Sequence, residues 1–81
     1  MTTSANVTYY GIYKDGKVIR EHKQHHYCKS INELLKKYIP PEEYTIVARY
    51  PYENEDDHYS KPMLLSDYLN GKILIWETSY N

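Results

Sequence analysis

Val7-Thr8-Tyr9-Tyr10-Gly11-Ile12-Tyr13-Lys14-Asp15-Gly16-Lys17-Val18-Ile19-Arg20-Glu21-His22-Lys23 is the stretch that decides the fold. Asp15-Gly16 sits between two runs rich in β-branched and aromatic residues. A two-residue type I′ turn needs positive φ at both central positions, which Asp tolerates and Gly adopts freely. The stretch therefore predicts a β-hairpin. Residues onward to Cys28 form a ragged strand end or connection. With Asp15-Gly16 as the turn, a regular register sets Lys14 opposite Lys17, Ile12 opposite Ile19 and Tyr10 opposite Glu21. Paired residues share a face. This register expects Tyr10, Ile12 and Ile19 on the core side. The other, wetter side would carry Val7, Tyr9, Tyr13 and Val18 with Arg20 and His22.

A hairpin needs a cover for its apolar face, and the downstream chain supplies candidates. Ser30 and Glu33 have the spacing of a capping box, in which each side chain satisfies an otherwise orphan backbone donor. Ile31, Leu34, Leu35, Tyr38 and Ile39 form one apolar stripe, predicting a helix over 31–38 that Pro40-Pro41 ends. Tyr44 to Tyr50 reads as a third strand, closed by Pro51. Pro62 to Gly71 predicts a short helix, because Leu64, Leu65, Tyr68 and Leu69 fit no alternating strand. Asn70-Gly71 is at the same time a hairpin-turn signal, which would make 63–69 a strand. Lys72 to Glu77 is apolar on both faces. It is expected as a strand near the sheet centre, with Trp76 as a core or interface anchor. The expected architecture is α+β: a mostly antiparallel sheet of about four strands with helices on one face. Residues 1–6 form a flexible N-terminus and 7–81 a single domain.

Eighty-one residues bury roughly 60% of the surface their unfolded chain exposes, so the core is small. One cysteine excludes an intrachain disulfide and suits a reducing compartment. No stretch approaches the ~20 apolar residues of a membrane span, and the first residues lack the pattern of a signal peptide. A cytoplasmic location is expected, without membrane association.

The net charge of −1 conceals an asymmetry. Lys14 to Lys37 carries seven basic against three acidic residues, a balance of +4. From Glu42 to the end there are three basic against eight acidic, a balance of −5. Such a dipolar chain can present opposite signs on two surfaces. Eleven tyrosines accompany no phenylalanine. Tyrosine joins a large apolar body to a polar tip, which suits strands and half-buried interfaces alike.

One local cluster has ligand chemistry: His22, His25, His26 and Cys28, to which His58, Asp56 or Asp57 would have to be added from afar to close a site. Its spacing is not that of a zinc finger, and on a strand His22 and His26 would stand roughly 13 Å apart. No metal or other cofactor is expected. Cys28 with a neighbouring histidine does not by itself make a nucleophile, because the base must lie within hydrogen-bond reach. The chain is therefore expected not to be an enzyme.

Two binding readings follow. In the first, the acidic segment Glu53, Glu55, Asp56 and Asp57, flanked by Tyr50, Tyr52 and Tyr59, binds a larger protein. Carboxylates supply long-range attraction to a basic groove and tyrosines supply desolvated contact. The expected consequence is inhibition or regulation of that partner. Such a chain would suit an inhibitor from a phage or mobile element acting on a host nucleic-acid enzyme, of the CRISPR-effector or restriction type. In the second, Tyr9, Tyr13, Lys17, Arg20, His22 and Lys23 bind single-stranded nucleic acid by phosphate pairing and base stacking. Near-neutral total charge and only two arginines weigh against it. The chain is expected as a monomer or small homo-oligomer.

Overall fold

The structure, a computed structural model, describes residues 7–25, 31–51 and 56–77. Strands β1 (Val7–Lys14) and β2 (Lys17–His25) form the expected hairpin. Asp15 and Gly16 have φ of 55° and 80°, the conformation that the Asp-Gly pair predicts. β3 (Thr45–Tyr50) pairs antiparallel with β1. Two short strands, β4 (His58–Tyr59) and β5 (Met63–Leu64), pair with opposite ends of β3. The sheet runs β2-β1-β3-β4, with β5 beside β4 on the outer flank of β3. Helix α1 (Asn32–Leu35), a 3₁₀ turn at Pro41–Glu43 and helix α2 (Leu65–Leu69) complete the α+β fold.

The hairpin register differs from the regular one. Lys14 pairs with Lys17 and Tyr13 with Val18, but Ile12 pairs with Arg20 and Tyr10 with His22. Ile19 is the extra residue of a β-bulge, and beyond it every side chain of β2 changes face. Ile19 is thereby half exposed instead of sharing the core with Ile12. Arg20 and His22 move to the side of Tyr10 and Ile12, while Glu21 and Lys23 join Gly11 and Tyr9. The expected grouping of Arg20 and His22 with Tyr9 and Tyr13 is thus overturned.

Ile12, Leu35, Tyr38, Ile46 and Leu65 form the buried core. Tyr10, Ile31, Tyr44, Met63, Tyr68, Leu69 and Leu74 pack around it. Four of these surrounding or core residues are tyrosines, and the Tyr38 hydroxyl is hydrogen-bonded within the buried layer. Tyr38 lies 5.3 Å from Tyr44 and Tyr10 lies 6.0 Å from Tyr68, ring centre to ring centre. Burial pushes the Tyr68 hydroxyl up to about 12, reinforced by Tyr10.

The first helix is shorter than its apolar stripe predicts. It closes at Leu35, and the chain turns through a cis Ile39–Pro40 peptide. Ile39 is 74% exposed and Leu34 is exposed too, so the stripe narrows to Ile31, Leu35 and Tyr38. Ser30 lies outside the described residues. Glu33 bonds the Lys36 ammonium at 3.1 Å, and the first turn is tied instead to β2, the Ile31 N–H donating to Gln24 Oε1 at 3.1 Å. The 63–69 segment combines both expected signals: two strand residues, then a helix. The Leu65 N–H donates to the Tyr44 carbonyl at 2.9 Å, and Gly71 leaves α2 at φ 100°.

The expected central strand over Lys72–Glu77 is not central. Its backbone meets the rest of the sheet through the Ser60–Trp76 bridge, outside β4. Ile73 is 84% exposed, Ile75 61% and Trp76 40%; Leu74 alone packs on the core. The flanks of β3 are already filled by β1 on one side and by β4 and β5 on the other. Only an outermost place remained for the last apolar run.

Candidate partner-binding surface

Among the described residues, helices α1 and α2 pack on the side of Ile12 and Ile46, and the opposite side holds Tyr9, Gly11, Tyr13, Glu21, Lys23 and Arg49. Arg49 organises this side. Its guanidinium lies 4.2 Å from the Tyr9 ring centre, a cation–π stack. Nε and Nη2 donate to the two Glu21 oxygens at 3.1 and 3.0 Å, the forked geometry that arginine offers a carboxylate. Nη1 donates to Asp57 Oδ2 at 2.9 Å. The hydrogen bonds that it donates to Glu21, and then the one to Asp57, hold the guanidinium proton more firmly than usual, against the cost of burial.

This arrangement fixes one end of the acidic segment. Asp57 is pinned through Arg49, and the next two residues form β4, with Tyr59 opposite Arg49 and His58 opposite Tyr50. Ser60 is buried; its Oγ accepts from the Ala48 N–H at 2.8 Å while its own N–H donates to the Ala48 carbonyl at 2.8 Å. Asp56 is exposed beside this anchored stretch, and Tyr59 is nearly half exposed. Glu77 comes to the same edge, its N–H donating to the Tyr59 carbonyl at 2.9 Å. Glu77 thus joins the acidic edge, and Glu21 reaches its Arg49 anchor from β2; local composition announced neither, because both arrive through strand pairing. Tyr52, Glu53 and Glu55 lie outside the described residues; their neighbours Pro51 and Asp56 border this edge.

The residues of the nucleic-acid reading are not gathered. Tyr9, Tyr13 and Lys23 are on the open side, Lys17 stands by the hairpin tip, and Arg20 and His22 are on the helix side. His22 is buried, its Nε2 lying 2.7 Å from the Tyr38 hydroxyl. Burial lowers its pKa, with Lys37 and Arg20 adding to the effect. A buried neutral imidazole bound to tyrosine is a core hydrogen bond and not a phosphate contact. His26 and Cys28 lie outside the described residues. Among the described residues, no three metal-ligating side chains come together. No helix among them is long and apolar enough to cross a membrane.

Comparison with protein-family models, with curated proteins and with solved structures finds no match for this chain.

Proposed function

We propose that this chain is a small non-catalytic protein-binding domain that inhibits or regulates a larger partner through its acidic edge. The observation that carries the reading is the 2.9 Å ion pair between Arg49 and Asp57, which anchors the acidic segment to the sheet. A segment held at its end loses less conformational freedom on binding than a free one. Asp56 is exposed next to β4, where Tyr59 stands nearly half exposed on the open side and Tyr50 falls on the helix side by strand alternation; Glu53 and Glu55 precede Asp56 in sequence. Negative charge speeds encounter with a basic groove, and an aromatic anchor supplies contact area once water is expelled. A basic groove of this kind is what a nucleic-acid enzyme offers. Competition for such a groove is the proposed mechanism, and inhibitors of CRISPR effectors or restriction enzymes made by phages or mobile elements are the class it suits.

Affinity capture with two baits tests this. One bait is the native chain; the other carries Glu53→Lys, Glu55→Lys and Asp56→Lys and keeps Asp57 for its structural pair. The native bait should retain a nucleic-acid enzyme that added nucleic acid displaces, and the reversed bait should not. Equal retention by both baits rejects the acidic edge as the contact.

A further inference from the structure

Among the described residues no helix packs on the other side of the sheet, and that side mixes charged groups with apolar ones. Antiparallel sheets that face water on one side usually alternate apolar and polar residues so that the wet face is polar. Here Tyr13, Tyr9 and Val47 lie half-buried on it, and Val18, Leu64 and Tyr59 stand exposed. The strand pairings place them on one side: Val18 beside Tyr13, Tyr13 beside Thr45, and Thr45 beside Leu64. One row crosses the whole sheet. It runs Lys23, Tyr9, Arg49, Tyr59 through the ladder pairs and reaches Glu77 through the Tyr59–Glu77 backbone bond.

That row is charged oppositely at its two ends. Lys23 on β2 and Glu77 on the far edge each lack an ion-pair partner among the described residues. At the centre, Arg49 is already balanced by Glu21 and Asp57. A two-fold axis in the plane of this face, parallel to β3, exchanges the ends of the row. It sets Lys23 of one copy against Glu77 of the other, twice, and lays Tyr9 on Tyr59 and Tyr13 on Leu64. We infer that the open sheet face is an isologous contact between two copies of this chain, with Lys23 and Glu77 as its reciprocal ion pairs. Face-to-face sheets pack about 10 Å apart with apolar side chains between them, which matches the tyrosine and aliphatic content of the row's surroundings. Self-complementarity of this kind is what a two-fold interface requires. The inference shares Tyr59 and Glu77 with the acidic edge proposed above, but it needs no partner other than a second copy, and its charge-reversal test at Lys23 and Glu77 leaves Glu53, Glu55 and Asp56 untouched.

Sedimentation equilibrium of the full chain up to about 1 mM tests it, with Lys23→Glu, Glu77→Lys and the double variant, each checked for folding by circular dichroism. The native chain should form a concentration-dependent dimer. Each single reversal sets like charges together at two symmetric places and should weaken it roughly tenfold. The double variant restores both pairs with signs exchanged and should return within about threefold of native. A native chain that stays monomeric throughout overturns the inference. So does a dimer that the single reversals leave unchanged, or one that the double variant fails to restore.

Discussion

His22 Nε2 and the Tyr38 hydroxyl lie 2.7 Å apart in the buried layer between the hairpin and the segment after α1. The pair exists because the bulge at Ile19 turns His22 inward. Burial holds the imidazole pKa below its ordinary 6.5, and the Lys37 and Arg20 charges push the same way. The sign of the pH effect follows. Above about 6.5 the ring is neutral whether the chain is folded or unfolded, and stability is independent of it. Below 6.5 the unfolded chain takes up a proton that the folded chain resists, so stability falls with pH until the folded pKa is passed. The melting temperature should therefore drop between pH 7 and pH 5. His22→Asn should flatten that part of the profile while lowering stability at pH 7 by about 1–2 kcal/mol through loss of the Tyr38 bond. An unchanged slope in the variant would assign the pH dependence elsewhere.

Arg49 joins three parts of the chain that are remote in sequence: Glu21 on β2, Tyr9 on β1 and Asp57 before β4. Its side chain is about one-quarter exposed, so water screens the pairs in part. Arg49→Lys keeps the charge and loses the fork and the stacking plane. It should cost about 1 kcal/mol in denaturant unfolding. The larger effect should be local. Amide hydrogen exchange at His58 and Tyr59 should accelerate more than at Ile12 or Ile46, because β4 loses its tether while the core keeps its packing. Uniform acceleration along the chain would show that Arg49 stabilises the whole domain and not this edge.

Local chemistry made some of the fold legible and non-local competition concealed the rest. Asp15-Gly16 announces its turn because the two residues alone satisfy the positive φ values. The third strand and the short second helix follow from spacing in the same way. The bulge does not, because a regular register would bury Ile19 on propensity grounds. The inward histidine has a buried hydrogen-bond partner in Tyr38, sixteen positions away in sequence, which no local pattern reveals. The short first helix has a related cause. Its stripe is long enough for 31–38, but Leu34 and Ile39 stand exposed, and Ile31, Leu35 and Tyr38 are the members of the stripe that pack on the core. The acidic segment was visible by composition, whereas Arg49 as its anchor was not, since arginine pairs are made by folding and not by spacing.

Gly11 and Tyr13 make a second relationship open to test. A Cβ built on Gly11 would stand 3.2 Å from Tyr13 Cε1, so the phenol ring lies over the glycine on the open face. The neighbouring Val47 carbonyl oxygen would be 3.6 Å away, an ordinary contact. Gly11→Ala should push the ring aside and destabilise by about 1 kcal/mol. In a Tyr13→Ala background the crowding is gone and alanine loses less backbone freedom than glycine on folding. There the same Gly11→Ala change should be neutral or stabilising by up to about 1 kcal/mol. The two-variant cycle, measured by urea unfolding, should show this change of sign. Equal destabilisation in both backgrounds would mean that the backbone at residue 11, and not the ring, sets the requirement.

Ile46 and Ile73 are the same residue type in strand-like sequence, and the structure assigns them opposite weights. Ile46 is fully buried on β3 against Ile12, Leu35 and Leu65, whereas Ile73 is 84% exposed. Truncating a buried isoleucine removes its transfer free energy and leaves a cavity that close-packed neighbours fill only in part. Ile46→Ala should therefore cost about 3 kcal/mol, a large share of the 5–15 kcal/mol typical of a small domain. Ile73→Ser has almost no burial to lose and should change stability by less than about 0.5 kcal/mol. The comparison separates two places for the last apolar run. On the observed outer edge the contrast between the two isoleucines is several-fold. In a central strand Ile73→Ser would cost as much as Ile46→Ala, and unfolding curves of the two variants in urea distinguish these outcomes directly.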